Sequence, residues 1–258
     1  MNANSPRPYV LAETNWKAVQ DTEFDVAVLP WGATEAHNYH LPYATDNIQV
    51  DHIAHTAAGI AWEAGARVIV LPCVPFGVNT GQMDIPLCLN MNPSTQFAVL
   101  SDIAEVLSQC EIDKLVIMNG HGGNHFKQMI RELSIAEPEL FACALNWYES
   151  INAFDHFDEP GDHAGALETS LVMAIRPELV LPLSEAGSGA ARQFKVAGLR
   201  EGWVAAQREW TQATQDTGVG NPAGSTSDKG HRYLDKCCNK IGQFLIELAE
   251  ADLHDFYE

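Results

Sequence analysis

Glu35 and His37, Asp46, His121, and His163 with Glu168 are the residues of this 258-residue chain whose types and spacing best suit chemistry. Carboxylates and imidazoles without a thiolate suit Zn²⁺, Mn²⁺ or Fe²⁺, and two such ions sharing one carboxylate can hold and deprotonate a water between them. The chemistry expected of the set is hydrolysis.

The run Trp31-Gly32-Ala33-Thr34-Glu35-Ala36-His37 puts Glu35 and His37 on one side if it is extended, because alternate residues share a face. Asp46 then either bridges two ions or simply caps a helix starting at Asn47, since aspartate is a favoured cap. In Asn119-Gly120-His121-Gly122-Gly123-Asn124 the glycines let the backbone turn tightly and bring one imidazole close to an ion. The run matches neither the G-x-x-x-x-G-K-[ST] nor the G-x-G-x-x-G phosphate-binding spacing, although a plain connecting turn also fits it. His163 and Glu168 lie at the opening of an expected helix, whose N-terminal end favours anions.

These residues need elements to position them. Short β-branched runs at Asp25–Pro30, Arg67–Pro72, Lys114–Met118 and Phe141–Trp147 read as strands. Helices are expected between and after them at 47–64, 94–110, 124–136, 165–175, 203–214 and 229–252, with Asn92-Pro93-Ser94 as an opening signal for the second. The alternation predicts one α/β domain over 1–258 with a mostly parallel sheet. Glu35, His37 and His121 then follow strand ends, the edge where parallel sheets bind ligands. The stretches Ser184–Gly202 and Thr217–Gly230 read as loops able to reach over a site or a neighbouring subunit, and Trp147 and Tyr148 either line a pocket or fill the core.

Composition narrows the partners. With 46% hydrophobic residues the chain can bury a sizeable core, and a net charge of −19 leaves no basic stripe for nucleic acid or an anionic membrane. The opening residues lack a signal-peptide pattern and no stretch reaches about 18 uninterrupted apolar residues, so a cytoplasmic protein is expected. The six cysteines form no C-x-x-C pair, and buried free thiols are expected.

The ordered motifs Gly32-Ala33-Thr34-Glu35-Ala36-His37, His40-Leu41-Pro42, Thr45-Asp46, Asn119 to Asn124, and His163-Ala164-Gly165-Ala166-Leu167-Glu168-Thr169-Ser170 resemble those of the creatininase family, the creatinine amidohydrolases, over roughly residues 25–235. The resemblance implies a three-layer α/β/α sandwich, two divalent ions per chain, and hydrolysis of a C–N bond in a small cyclic or formylated amide by a metal-bridging hydroxide. It implies that Glu35, Asp46 and His121 hold one ion and His37 and Asp46 the other, with Asp46 as the bridge. Creatinine-hydrolysing members complete the second site with a glutamate two residues after the loop histidine. Gly123 stands there in this chain, and Glu168 is the replacement in reach. His163 would protonate the departing nitrogen from near its ordinary pKa, and His40 would orient a ligand from behind.

Two departures point away from creatinine as substrate. Those members carry a tryptophan four residues before the third motif's histidine, where this chain has Glu159, and many relatives have a His-Phe-Pro-Gly-Thr run where this chain has Gly81 to Cys88. An alternative is a hydrolase opening a C–C bond in a cyclic ketone such as an inosose, and a lesser one is a binding module without catalysis. The resemblance also implies a homo-oligomer, a hexamer, acting on a small molecule.

Overall fold

Strand β1 (Val26–Trp31), β2 (Val68–Val70), β3 (Lys114–Asn119) and β4 (Phe141–Asn146) form a parallel sheet in the order β2-β1-β3-β4 in the computed structural model, which describes residues 6–257. The helices are α1 (Trp16–Gln20), α2 (Thr45–Glu63), α3 (Pro93–Gln109), α4 (Lys127–Ala136), α5 (Ala166–Ile175), α6 (Ala197–Arg200), α7 (Trp210–Ala213) and α8 (Ser227–Glu250). Alternation along the strands divides the interior in two, because successive side chains leave opposite faces. Val26 and Val28 of β1, with Val116 and Met118 of β3, meet α2, α5 and α8 on one face. Ala27, Leu29 and Trp31, with Leu115 and Ile117, meet α3 and α4 on the other. The result is the expected three-layer sandwich. With helices on both faces, β1 and β3 are buried at every residue and read as continuous apolar runs.

Local chemistry sets the helix ends. Pro93 opens α3 at the first turn, where its missing N–H costs nothing, although Asn92 makes no side-chain cap bond. Thr226 caps α8 by accepting a hydrogen bond from the Lys229 backbone N–H at 3.2 Å. Asp46 does not cap α2: that position belongs to Ala44, and Asp46 stands inside the first turn. Of the expected elements, the helix at 203–214 is the one that fails. Only α7 forms there, and Trp203 and Val204 project into solvent, so the apolar residues of that stretch have no face of the core to cover. A helix this isolated lacks the tertiary packing that supplies most helical stability. Within the expected loop Ser184–Gly202 a four-residue helix, α6, appears, and α1, capped by Asn15, was not foreseen.

None of the six cysteines is paired; three of them are buried and Cys110 is exposed. Among the described residues no helix is long and apolar enough to cross a membrane.

The long C-terminal helix anchors one layer through Tyr233, Leu234, Ile241 and Leu245. Leu245→Ala, at a fully buried position, is expected to lower the free energy of unfolding by about 2–5 kcal/mol. Urea denaturation followed by circular dichroism measures it, and a loss below about 1 kcal/mol would contradict the packing described.

Candidate metal centre

The order β2-β1-β3-β4 reverses direction between β1 and β3, and an open parallel sheet leaves a crevice at such a switch point beyond its carboxyl edge. Glu35 and His37 leave β1 at that edge, and His121 leaves β3. Asp46 comes from the first turn of α2 and Glu168 from the first turn of α5, so five segments converge once His163 is included.

The resulting cluster is tight and buried. His37 Nε2 lies 3.0 Å from Asp46 Oδ1, 3.9 Å from Glu35 Oε1 and 4.0 Å from Glu168 Oε1. His121 Nδ1 lies 2.9 Å from Glu35 Oε1 and 3.1 Å from Asp46 Oδ2. His163 stacks on His37 with ring centroids 4.1 Å apart and places Nδ1 3.8 Å from Glu35 Oε1. Potential ligand atoms fall into three groups, each within 4.8 Å: Glu35, Asp46 and His121; His37, Asp46 and Glu168; and Glu35, His37 and His163. Asp46 belongs to two of them.

Electrostatics explains why such a cluster wants cations. Burial alone disfavours charge on every member. Against that burial, Asp46, Glu168 and Glu35 raise the pKa of His37 to about 10. Glu35 and Asp46 likewise raise His121 well above its ordinary value despite its burial. The two carboxylates answer in kind: burial opposes their charge, yet His121 holds Glu35 low, and His37 with His121 hold Asp46 low. Protonated imidazoles thus balance buried carboxylates, and a divalent ion can take over that balance by displacing their protons. Glu168 carries less compensation, and burial raises its pKa to about 7. Asp46 Oδ2 supplies a direct test of fit, since it is buried and finds no properly aligned donor even with His121 Nδ1 close by. An oxygen and imidazole set with one orphaned lone pair suits a divalent cation.

Further residues fix the ligand atoms. The Gln82 side-chain amide donates to Glu35 Oε2, and Cys88 Sγ donates to Gln82 Oε1 at 3.3 Å. His163 donates from Nε2 to the Ala36 carbonyl at 2.8 Å, which leaves Nδ1 as the acceptor facing the cluster. Val219 brackets His163 with backbone hydrogen bonds in both directions, and Thr217 Oγ1 donates to Ala36 O, so the stretch after Thr217 does reach over the site. Ala164, next to His163, takes a left-handed φ of 51°, strained for alanine, and its N–H donates to Glu168 Oε2. His40 contacts none of the cluster carboxylates; its Nε2 pairs with Thr169 Oγ1 at 2.8 Å, beside Glu168. Trp147 serves both of its expected uses, buried at 1% exposure and bordering the crevice with Tyr148.

One expectation needs correction. Burial and the neighbouring His37 lower the His163 pKa to about 4, so its imidazole is neutral rather than poised near its ordinary value. The crevice has a volume of about 1110 Å³ and continues from the cluster past Gln96, Phe154 and Trp210.

A family model described as Creatininase: Creatinine amidohydrolase matches residues 12–245. The chain belongs to the creatininase family. Among solved structures, a protein from Bacteroides fragilis NCTC 9343 that bears the provisional name creatinine amidohydrolase superposes with a TM-score of 0.91 at 42% identity, over 99% of this chain and 100% of that one. A creatininase variant of Zn-Zn type shares the fold with a TM-score of 0.76 at 21% identity, over 95% of this chain and 100% of its own. The Mycofactocin precursor peptide peptidase of Mycobacterium ulcerans (strain Agy99) is 27% identical over 230 residues, 84% of each chain.

Gly123 accounts for the departure of this creatininase-family chain at the second motif. A Cβ there would stand 2.3 Å from the Val78 carbonyl and 2.5 Å from His121 Nε2, so the loop has closed over the space a glutamate would need. Gln82 and Trp210 escaped the sequence reading. Gln82 carried a faint signal, lying where the family run is replaced, but its aim at Glu35 depends on the turn that presents it.

Removing the amide donor while keeping bulk, Gln82→Leu, leaves Glu35 Oε2 buried without its partner. The metal-free variant should lose about 1–3 kcal/mol of stability, read from its urea midpoint, and an unchanged midpoint would show that the pairing carries no weight.

Proposed function

We propose that this protein is a dinuclear metal-dependent amidohydrolase. The observation that supports it most is the sharing of Asp46 between two groups of ligand atoms, one buried throughout and one with Glu168 partly exposed. In this reading Glu35, Asp46 and His121 hold one divalent ion, Zn²⁺, Mn²⁺ or Fe²⁺, while His37, Asp46 and Glu168 hold the other. Neighbouring creatininases of Zn-Zn type and with Mn support zinc or manganese among these. Such ions lower the pKa of water and polarise a carbonyl oxygen.

The chain's own groups handle geometry and protons. His163 Nδ1 accepts the proton released as water adds to the amide carbon, because its Nε2–H is committed to Ala36 O. The same proton then passes to nitrogen as the C–N bond breaks. Gln82 keeps Glu35 oriented, and the Ala164 N–H does the same for Glu168.

The substrate in this reading is a small cyclic or formylated amide. A second reading, an amide bond near the end of a peptide, is favoured by the crevice of about 1110 Å³, more than a small ring fills, and by the peptidase name of the mycobacterial relative. A panel of lactams, formamides, short peptides and cyclic ketones separates them. A newly formed amino group, free or within a ring-opened product, or formate supports amide hydrolysis; ring opening of a ketone with no new amino group would overturn it in favour of C–C cleavage.

Two measurements address the metal assignment. Zinc added back to chelator-treated protein should raise the unfolding temperature, by the equivalent of about 2.7 kcal/mol at 100 times the dissociation constant. Asp46→Ala should abolish that rise and leave both sites empty by elemental analysis; normal metal content in the variant would sink the bridging role.

Glu168→Gln preserves shape and removes charge. We expect it to fold, keep the ion at Glu35, Asp46 and His121, lose most of the second, and fall at least about 10²-fold in hydrolysis. Full activity with two ions per chain would make Glu168 a structural residue of the first turn.

A further inference from the structure

Residues 207–211 cross the mouth of the crevice although little apolar burial holds them there. Polar fastenings do so instead. Thr80 Oγ1 donates to Gln207 Oε1 at 3.0 Å, Thr211 Oγ1 donates to Asp84 Oδ2, and Arg208 Nη1 pairs with Asp162 Oδ2 at 2.9 Å. The seat is close: a Cβ on Gly81 would come within 2.0 Å of the Arg208 carbonyl oxygen, so only glycine lets the segment lie down. Arg208 also lays its guanidinium 5.0 Å above the Trp210 ring. All of this delivers one contact to the centre, the edge-on packing of Trp210 against His163 at 4.7 Å between ring centroids and 61° between planes.

His163 is therefore held from several directions. His37 stacks on one side, Trp210 packs on another, and the Ala36 carbonyl fixes Nε2. The turn beneath the strap, Thr80–Gln82, seats it through Gly81 and orients Glu35 through Gln82, so one turn serves both sides of the centre.

We propose that residues 207–211 form a latched strap whose role is to make Trp210 a positioning residue for His163, covering its ring and holding Nδ1 toward the reacting amide. Trp210 borders the crevice but acts chiefly through His163, so its loss should fall on turnover more than on affinity. Only this kinetic part rests on the amidohydrolase reading.

Two readouts test it. The first is carbethoxylation of histidines by diethyl pyrocarbonate, mapped by mass spectrometry on the intact folded protein, with exposed His254 as internal reference. Trp210→Ala should raise the labelling rate of His163 by about tenfold, while Trp210→Phe, which keeps an aromatic edge, should stay near the parent. Gly81→Ala, which lifts the strap without touching Trp210, should reproduce the increase, and does so even if Trp210→Ala fails to fold. The second is kinetics on whichever amide of the panel is turned over: kcat about tenfold lower for Trp210→Ala with KM changed less than about twofold, and recovered in Trp210→Phe. Unchanged His163 labelling in Trp210→Ala or Gly81→Ala overturns the proposal. A panel with no amide turnover but with the labelling pattern intact would count against the amidohydrolase reading alone.

Discussion

Two carboxylates, Glu35 and Asp46, are gathered where water hardly reaches, with the partly buried Glu168 beside them, and their mutual repulsion must be answered by positive charge. Much of the rest of the molecule can be understood as meeting that requirement. The sheet supplies a crevice where β1 and β3 part company, which lets Glu35, His37 and His121 arrive from two adjacent strands. The first turns of α2 and α5 bring Asp46 and Glu168 with their backbone N–H groups pointing the same way, a placement that favours anionic side chains before any ion binds. His37 and His121 then carry protons that the carboxylates stabilise, so the centre is already arranged for cations.

The cost of that arrangement shows in the supporting shell. Ala164 accepts a left-handed backbone, His121 gives its Nε2 to the Val78 carbonyl, and Gln49 of α2 reaches the Glu168 carbonyl of α5 at 3.1 Å. Each ties a ligand-bearing segment to a neighbour, and such support from behind is what keeps ligand atoms within a few tenths of an ångström of their places.

How much of this was legible follows from where each signal resides. Glu35, His37, Asp46, His121, His163 and Glu168 could be picked out because each sits in a short ordered motif next to a periodic element. The strands were equally plain, since β1 and β3 are buried on both faces and their apolar runs are unbroken. The helix expected at 203–214 misled because Trp203, Val204 and Trp210 have helical apolar character but no layer left to pack on: α2, α5 and α8 fill one face and α3 and α4 the other. What holds that stretch is a set of side-chain bonds to Thr80, Asp84 and Asp162, more than forty residues away in sequence, and periodicity carries no information about those. The pKa of His163 was missed for a similar reason, because burial against His37 is a tertiary fact.

The closing of the second-motif loop at Gly123 also changes what kind of motion would release an ion. A ligand on that loop would answer to fluctuations of a few residues after β3. Glu168 belongs instead to α5, which packs through Leu167 and Leu171 into the same cluster as Tyr233 and Leu234 of α8. An ion held by Glu168 is thereby coupled to a cooperative unit that includes the C-terminal helix, and partial opening of that unit would let the ion go while the ligands on β1 and β3 stayed in place. If two ions bind as proposed, retention of the one at Glu168 would follow the hydrogen-exchange class of the α5–α8 unit, set by helix docking rather than by the loop after β3.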